Sequence, residues 1–207
     1  MESFSHNAPR KYPEIKPKIQ SMDDFLKRLE TAKKIIVCGS PGSGKTVFSS
    51  SIAAYLGIEL YHLDSLYWRA NWDEPSLEEW QGIENNILEK QSWIMDGHNE
   101  ATLLHRLHYA DLCIFLDEPP QICAGRVLRR WAKHWSVARP EMHPTNRERL
   151  DIAFLTRVAL FRRRKITRLI RSGKSEYSSK VFILRNSRLM KRKLDQRQSS
   201  TQLTRSK

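Results

Sequence analysis

Residues 33–46 read KKIIVCGSPGSGKT: an apolar run, a glycine-rich turn, then a lysine and a threonine. The run Ile35–Cys38 has no polar alternation, which predicts a strand covered on both faces, as in a parallel sheet. Gly39 to Thr46 follows the pattern G-x-x-x-x-G-K-[ST] and lies between that strand and a helix predicted over Thr46–Leu56. Gly39, Gly42 and Gly44, with Ser40, Pro41 and Ser43 between them, let the backbone curl so that successive N–H groups face phosphate oxygens. The helix start adds its dipole. Lys45 offers a cation to the β- and γ-phosphates, and the Thr46 hydroxyl offers a ligand to Mg²⁺. The stretch therefore implies ATP with Mg²⁺.

Outward from this loop, strands and helices alternate. SMDDFLKRLE predicts a short capped helix before the first strand, with Phe25, Leu26 and Leu29 at helical spacing. IELYHLD predicts a second strand. SLEEWQGIENNILEK places Ser76 and Glu79 as a capping box, with Leu77, Trp80, Ile83, Ile87 and Leu88 on an apolar face. QSWIMDG, DLCIFLDEPP and VFILR predict three more strands, and long helices are expected over ICAGRVLRRWAKHW and RERLDIAFLTRVALFRRRKITRLIRS. The order predicts an α/β domain: a five-stranded, mainly parallel sheet with helices on both faces. Residues 1–22 are expected as a flexible arm, 23–195 as the domain, and 196–207 as a disordered basic tail.

Composition sets bounds on function. The 207 residues are 40% hydrophobic and 29% charged, as in a globular protein with a sizeable core. No apolar run approaches the ~20 residues that span a bilayer, and MESFSHNAPRKYPEIKPK lacks the apolar centre of a secretory signal. A cytoplasmic protein without membrane contact is expected. Cys38, Cys113 and Cys123 lack metal-ligand spacing and are expected as buried reduced thiols. The net charge of +13 is concentrated: residues 126–174 hold fifteen Lys and Arg against three acids. That concentration calls for an anionic partner, either nucleic acid or a polyphosphate beneath an arginine-rich lid.

Acids at strand ends complete the candidate site, because ligands of open α/β sheets gather at the carboxyl edge. Asp96 ends SWIMDG and is placed to hold a water on Mg²⁺; an aspartate turn before Gly97 is the bland alternative. Asp117 also ends a strand, but EPP follows it directly, so a helix-entry or structural role weighs at least equally with a functional one. Asp64 ends the second strand, on the same edge as Lys45, and opens an aromatic stretch, DSLYWRANW; its carboxylate is suited to binding an acceptor hydroxyl or taking up its proton. His62 is expected to make a structural hydrogen bond, Trp68 and Trp72 to pack a wall, and Arg69 to meet an anion.

GSPGSGKT, HLDSLYW, WIMDGH, LHYADLCIFLDEPP, RVLRR and VFILRNSR, taken together, resemble the bacterial P-loop kinases known as DNA topology modulation proteins, relatives of adenylate kinase. The resemblance runs from about Lys33 to Leu194. The group usually has Asn-Tyr after the Asp-Gly of the third strand, where this chain has His98 and Asn99, and its members can begin at the first strand. The resemblance implies sheet order 2-3-1-4-5, ATP with Mg²⁺ and a short helical lid over about 126–157. It also implies arginines at Arg126 and Arg130, one near the adenine and one on phosphate, with Arg139 and Arg157 closing on the transferring group. The positive charge answers a physical need, since phosphoryl transfer is stabilised mainly by cations around the equatorial oxygens. Arg162, Arg163 and Arg164 cannot all face one ligand and are expected in solvent. The lid segment holds no cysteine, so a zinc-bearing lid is not expected.

Two readings follow. In the first, the chain transfers the ATP γ-phosphoryl to a nucleoside monophosphate or a hydroxylated metabolite, shikimate- and gluconate-like acceptors included. In the alternative it is an ATP-binding, nucleic-acid-associated regulator with little kinase activity, although no helix-turn-helix, zinc-finger or RNA-binding motif is present.

Overall fold

The computed structural model describes residues 22–97, 99, 101–139, 141–147, 152–159 and 179–205. Five strands form one sheet: β1 (Lys34–Gly39), β2 (Leu60–His62), β3 (Trp93–Asp96), β4 (Leu112–Leu116) and β5 (Val181–Leu184). Their order is β2-β3-β1-β4-β5, and every pairing is parallel. Parallel neighbours need crossovers, and the intervening helices supply them. In chain order these are α1 (Met22–Thr31), α2 (Lys45–Leu56), α3 (Leu63–Tyr67), α4 (Leu77–Leu88), α5 (Leu103–Tyr109), α6 (Pro120–His134), α7 (Ile152–Ala159) and α8 (Ser187–Arg205), with a 3₁₀ turn at Ala70–Trp72.

Alternation along the strands sorts the core into two layers. Ile35 and Val37 point to one face, where Phe25 and Leu29 of α1, Phe48 and Ile52 of α2, and Met190 and Leu194 of α8 cover them. Ile36 and Cys38 point to the other, beneath Leu63 of α3, Trp80 and Leu88 of α4, and Leu103 and Leu107 of α5. Each fully buried large side chain contributes about 2 kcal/mol relative to exposure, so these layers outweigh any single polar contact. A smaller cluster joins α6 to α7 through Cys123, Val127 and Val158.

Local signals are borne out. Ser76 and Glu79 form both halves of the capping box, Ser76 N donating to Glu79 Oε2 at 2.8 Å and Glu79 N to Ser76 Oγ at 3.2 Å. Leu77 is the exception on that helix: it sits at the first turn, before the apolar face meets the sheet, and is 69% exposed. The three cysteines are buried free thiols. Among the described residues no helix is long and apolar enough to cross a membrane.

Two expectations are corrected. The second strand ends at His62, and Leu63 turns its side chain into the core to start α3, so Asp64 lies in a helical first turn. The chain beyond Gln196, expected as a disordered tail, continues α8 to Arg205. No glycine or proline interrupts that stretch, Lys191 and Asp195 pair at i,i+4, and Arg197 reaches Glu30 at 3.4 Å. The arginine run 162–164 and the arm before Met22 lie outside the described residues, as do residues 148–151 and 160–178 of the basic segment.

Candidate active site

The loop between β1 and α2 takes the shape its glycines permit. Gly42 has φ 80°, and a Cβ there would collide with the backbone carbonyl of Cys123. Gly44 precedes α2 with φ 93°, so the chain enters the helix from the left-handed region. Lys45 folds back over the loop, its Nζ donating to the carbonyl oxygens of Gly39 and Ser40, both at 3.2 Å.

A buried network that residue patterns did not reveal holds the loop from behind. Glu118, just after β4, accepts from the N–H and hydroxyl of Ser187 at 2.9 and 2.8 Å, and from Arg126 Nη2 at 3.5 Å. Arg126 Nη1 in turn donates to the carbonyls of Gly42 and Ser43 at 3.2 and 3.1 Å, and Ser187 Oγ lies 3.3 Å from the Ser43 carbonyl. Arg126 is thus bonded to the loop itself, where a direct contact with nucleotide was expected. Its helix also lines a groove of about 550 Å³ with Arg129, Arg130, Lys133 and Arg188. Asp117 is paired with Arg185 at 3.4 Å beside the end of β5.

Asp96 is 4% exposed and ends β3 opposite His62 in register. One carboxylate oxygen, Oδ2, meets His62 Nδ1 at 3.0 Å and accepts from the Ser49 hydroxyl at 3.2 Å. The bond to Asp96 raises the His62 pKa above its ordinary value against the opposing effect of burial, and the Asp96, Glu141 and Asp64 charges add to it. Ser49 lies three residues beyond Thr46 on the same face of α2. Hydroxyl and carboxylate oxygens on one side of the loop form a donor set suited to Mg²⁺, a hard cation.

The aromatic stretch forms a wall. Tyr67 packs edge-on against Trp80 and Trp68, with ring centroids 5.1 Å apart in each case, and Trp68 against Trp72 at 5.5 Å. Arg69 meets its anion within the protein, Glu79 Oε2 at 3.1 Å. Asp64 is exposed, and its charge acts on both His62 and the buried Arg106. Arg106 ties α5 to the chain after β3 by donating to Asn99 O at 2.7 Å. His98 lies outside the described residues.

Beyond α6, Arg139 pairs with Glu141 at 3.2 Å. Arg130 lines the groove, and the Arg157 side chain lies outside the described residues. The segment 142–147 docks on the aromatic wall, which sequence reasoning missed. Asn146, 1% exposed, accepts from Trp72 N at 2.9 Å and donates to Arg69 O at 2.8 Å. Thr145 Oγ1 accepts from Asn71 N at 2.8 Å. These bonds fall where the wall is strained: Asn71 and Trp72 have φ 61° and 64°, a region that costs a bulky side chain on the order of 1–3 kcal/mol.

No protein-family model matches the sequence. A cytidylate kinase of Pyrobaculum arsenaticum is 28% identical over 132 residues, covering 56% of this chain and 70% of the relative. A solved protein of Chloroflexus aurantiacus with a provisional kinase description aligns over 80% of this chain and 96% of its own, with 17% identity and a TM-score of 0.48. A shikimate kinase of Bacteroides thetaiotaomicron aligns over 83% and 98%, with 15% identity and a TM-score of 0.46. The all-parallel 2-3-1-4-5 sheet, with its glycine loop between β1 and α2, agrees with the fold class and sheet order expected above.

Proposed function

We propose that the protein is an ATP-dependent phosphotransferase that moves the γ-phosphoryl group to a small acceptor held against the wall of residues 62–72. The carrying observation is the convergence at one sheet edge of the glycine loop with Lys45 and of Asp96 at the end of β3. Loop amides and Lys45 bind the phosphates. Thr46 and Asp96 are the residues to hold Mg²⁺, which when bound neutralises charge on the transferring group. Asp64 binds the acceptor hydroxyl and takes up its proton. Arg130 and Arg139 bring positive charge to the equatorial oxygens, and Arg126 keeps the loop in shape.

The similarity to a cytidylate kinase supports a nucleoside monophosphate as acceptor, and the resemblance to the DNA topology modulation group supports an adenylate-kinase-like mechanism. Among the described cations of the basic segment, Arg126 is bonded to the phosphate loop and shares its helix with Arg129, Arg130 and Lys133 along one groove, a compact cluster suited to a polyphosphate. The test is ADP release from Mg²⁺-ATP with cytidine monophosphate, the other nucleoside monophosphates, shikimate and gluconate. Acceptor-dependent turnover that Lys45→Ala abolishes is expected. Binding of ATP without acceptor-dependent turnover, together with salt-sensitive affinity for DNA, replaces this reading with the regulator.

A further inference from the structure

The bonds between segment 142–147 and the wall join two parts of the site that are about seventy-five residues apart in sequence. Asn146 uses both ends of its amide: Oδ1 holds the Trp72 N–H, and Nδ2 holds the carbonyls of Arg69 and, at 3.5 Å, Trp68. Thr145 is itself fixed by a 2.9 Å bond with His143 Nδ1. The segment leads back to Arg139 through tight turns, Asn146 N donating to His143 O and Met142 N to Arg139 O, and Met142 is buried.

A loop with two consecutive non-glycine residues at positive φ relaxes unless its neighbours over-determine it. Here Arg69 N–Asp73 O and Asp73 N–Ala70 O close the turn from within, while the amides of the two positive-φ residues themselves are both held from the lid side. We infer that Asn146 and Thr145 are positioning residues that hold the acceptor wall in shape from the lid, so that a bound donor nucleotide orders the wall before any acceptor arrives. Neither side chain touches a reacting atom. The inference rests on the phosphotransferase reading, and it names the residues that couple its two substrates.

The experiment follows hydrogen exchange at the Asn71 and Trp72 amides, with and without β,γ-methylene-ATP and Mg²⁺, beside ATP-dependent transfer to cytidine monophosphate. In the parent the analogue slows exchange at both amides. Loss of one buried hydrogen bond corresponds to about tenfold faster opening, so Asn146→Ala exchanges at least about tenfold faster at Trp72. In that variant the analogue no longer slows the wall, while its affinity stays within about twofold of the parent. Transfer shows a KM for the acceptor raised about tenfold with kcat within about threefold. Thr145→Ala exposes Asn71, and Thr145→Ser, which keeps the hydroxyl, restores it; this pair decides the matter if Asn146→Ala does not fold.

Unchanged exchange in Asn146→Ala overturns the inference, as does a parent whose wall ignores the analogue. A loss confined to kcat or to melting temperature also overturns the positioning role. A parent that binds the analogue and orders its wall, but transfers nothing to any acceptor, overturns the phosphotransferase reading and leaves the coupling established.

Discussion

Glu118→Gln tests the network behind the phosphate loop. Glutamine keeps the shape and can still accept from both Ser187 donors through its oxygen, but its NH₂ then faces Arg126 Nη2, donor against donor. A hydrogen bond to a charged group is worth about 1.5–3 kcal/mol. The Arg126 contact is long at 3.5 Å and the guanidinium is 22% exposed, so the lower end of that range applies to it. The two Ser187 bonds, at 2.9 and 2.8 Å, lose charge assistance and about half their strength. Together these give about 3 kcal/mol, or a fall in melting temperature of about 6–12 °C for a domain of this size. Because Arg126 and Ser187 carry the strain through to the Gly42 and Ser43 carbonyls, part of the loss reaches ligand binding. If half does, the dissociation constant of an ATP analogue rises about tenfold. The assay is thermal unfolding with and without the analogue, extended to a double-mutant cycle with Arg126→Met, for which a coupling of about 1 kcal/mol is expected. A melting temperature within one degree of the parent (about 0.3 kcal/mol), or additive single changes, refutes the reasoning.

Lys45→Ala is expected to lower kcat on the order of 10²-fold or more with an unchanged circular dichroism spectrum, and retained turnover would falsify the role given to the lysine. Asp64→Asn should leave ATP-analogue affinity near the parent value while acceptor-dependent turnover collapses; because Asp64 is exposed in the first turn of α3, a purely structural role would instead show as a stability loss of about 0.5 kcal/mol with turnover intact. His62 has a raised folded pKa, so its pairing with Asp96 stabilises the fold fully below the free-imidazole value of 6.5 and loses that contribution as pH rises through the raised value. His62→Gln should therefore flatten melting temperature against pH from about 6 to 8; a slope equal to the parent's would show that another group titrates there.

What the sequence determined by itself is local or periodic. The glycine loop is legible because phosphate binding needs particular residues at consecutive positions, and the capping box because its two halves lie three residues apart. The parity of the strands, Ile35 and Val37 against Ile36 and Cys38, already divides the core into two layers. Tertiary structure decided the rest. Asp64 sits in a helix because Leu63 finds a place in the core under the sheet, a packing event that no pattern in HLDSLYW specifies. The tail joins α8 because favourable local pairing is reinforced by Glu30 on another helix. Arg126 faces the loop because Glu118 and the carbonyls of Gly42 and Ser43 converge on it. Asn146 is an ordinary polar residue in a prolyl loop until the fold brings Trp72 N and Arg69 O to its two ends. In each case the partners are far apart along the chain, and a side chain that can satisfy its hydrogen bonds with water carries no mark of the protein group that will replace that water.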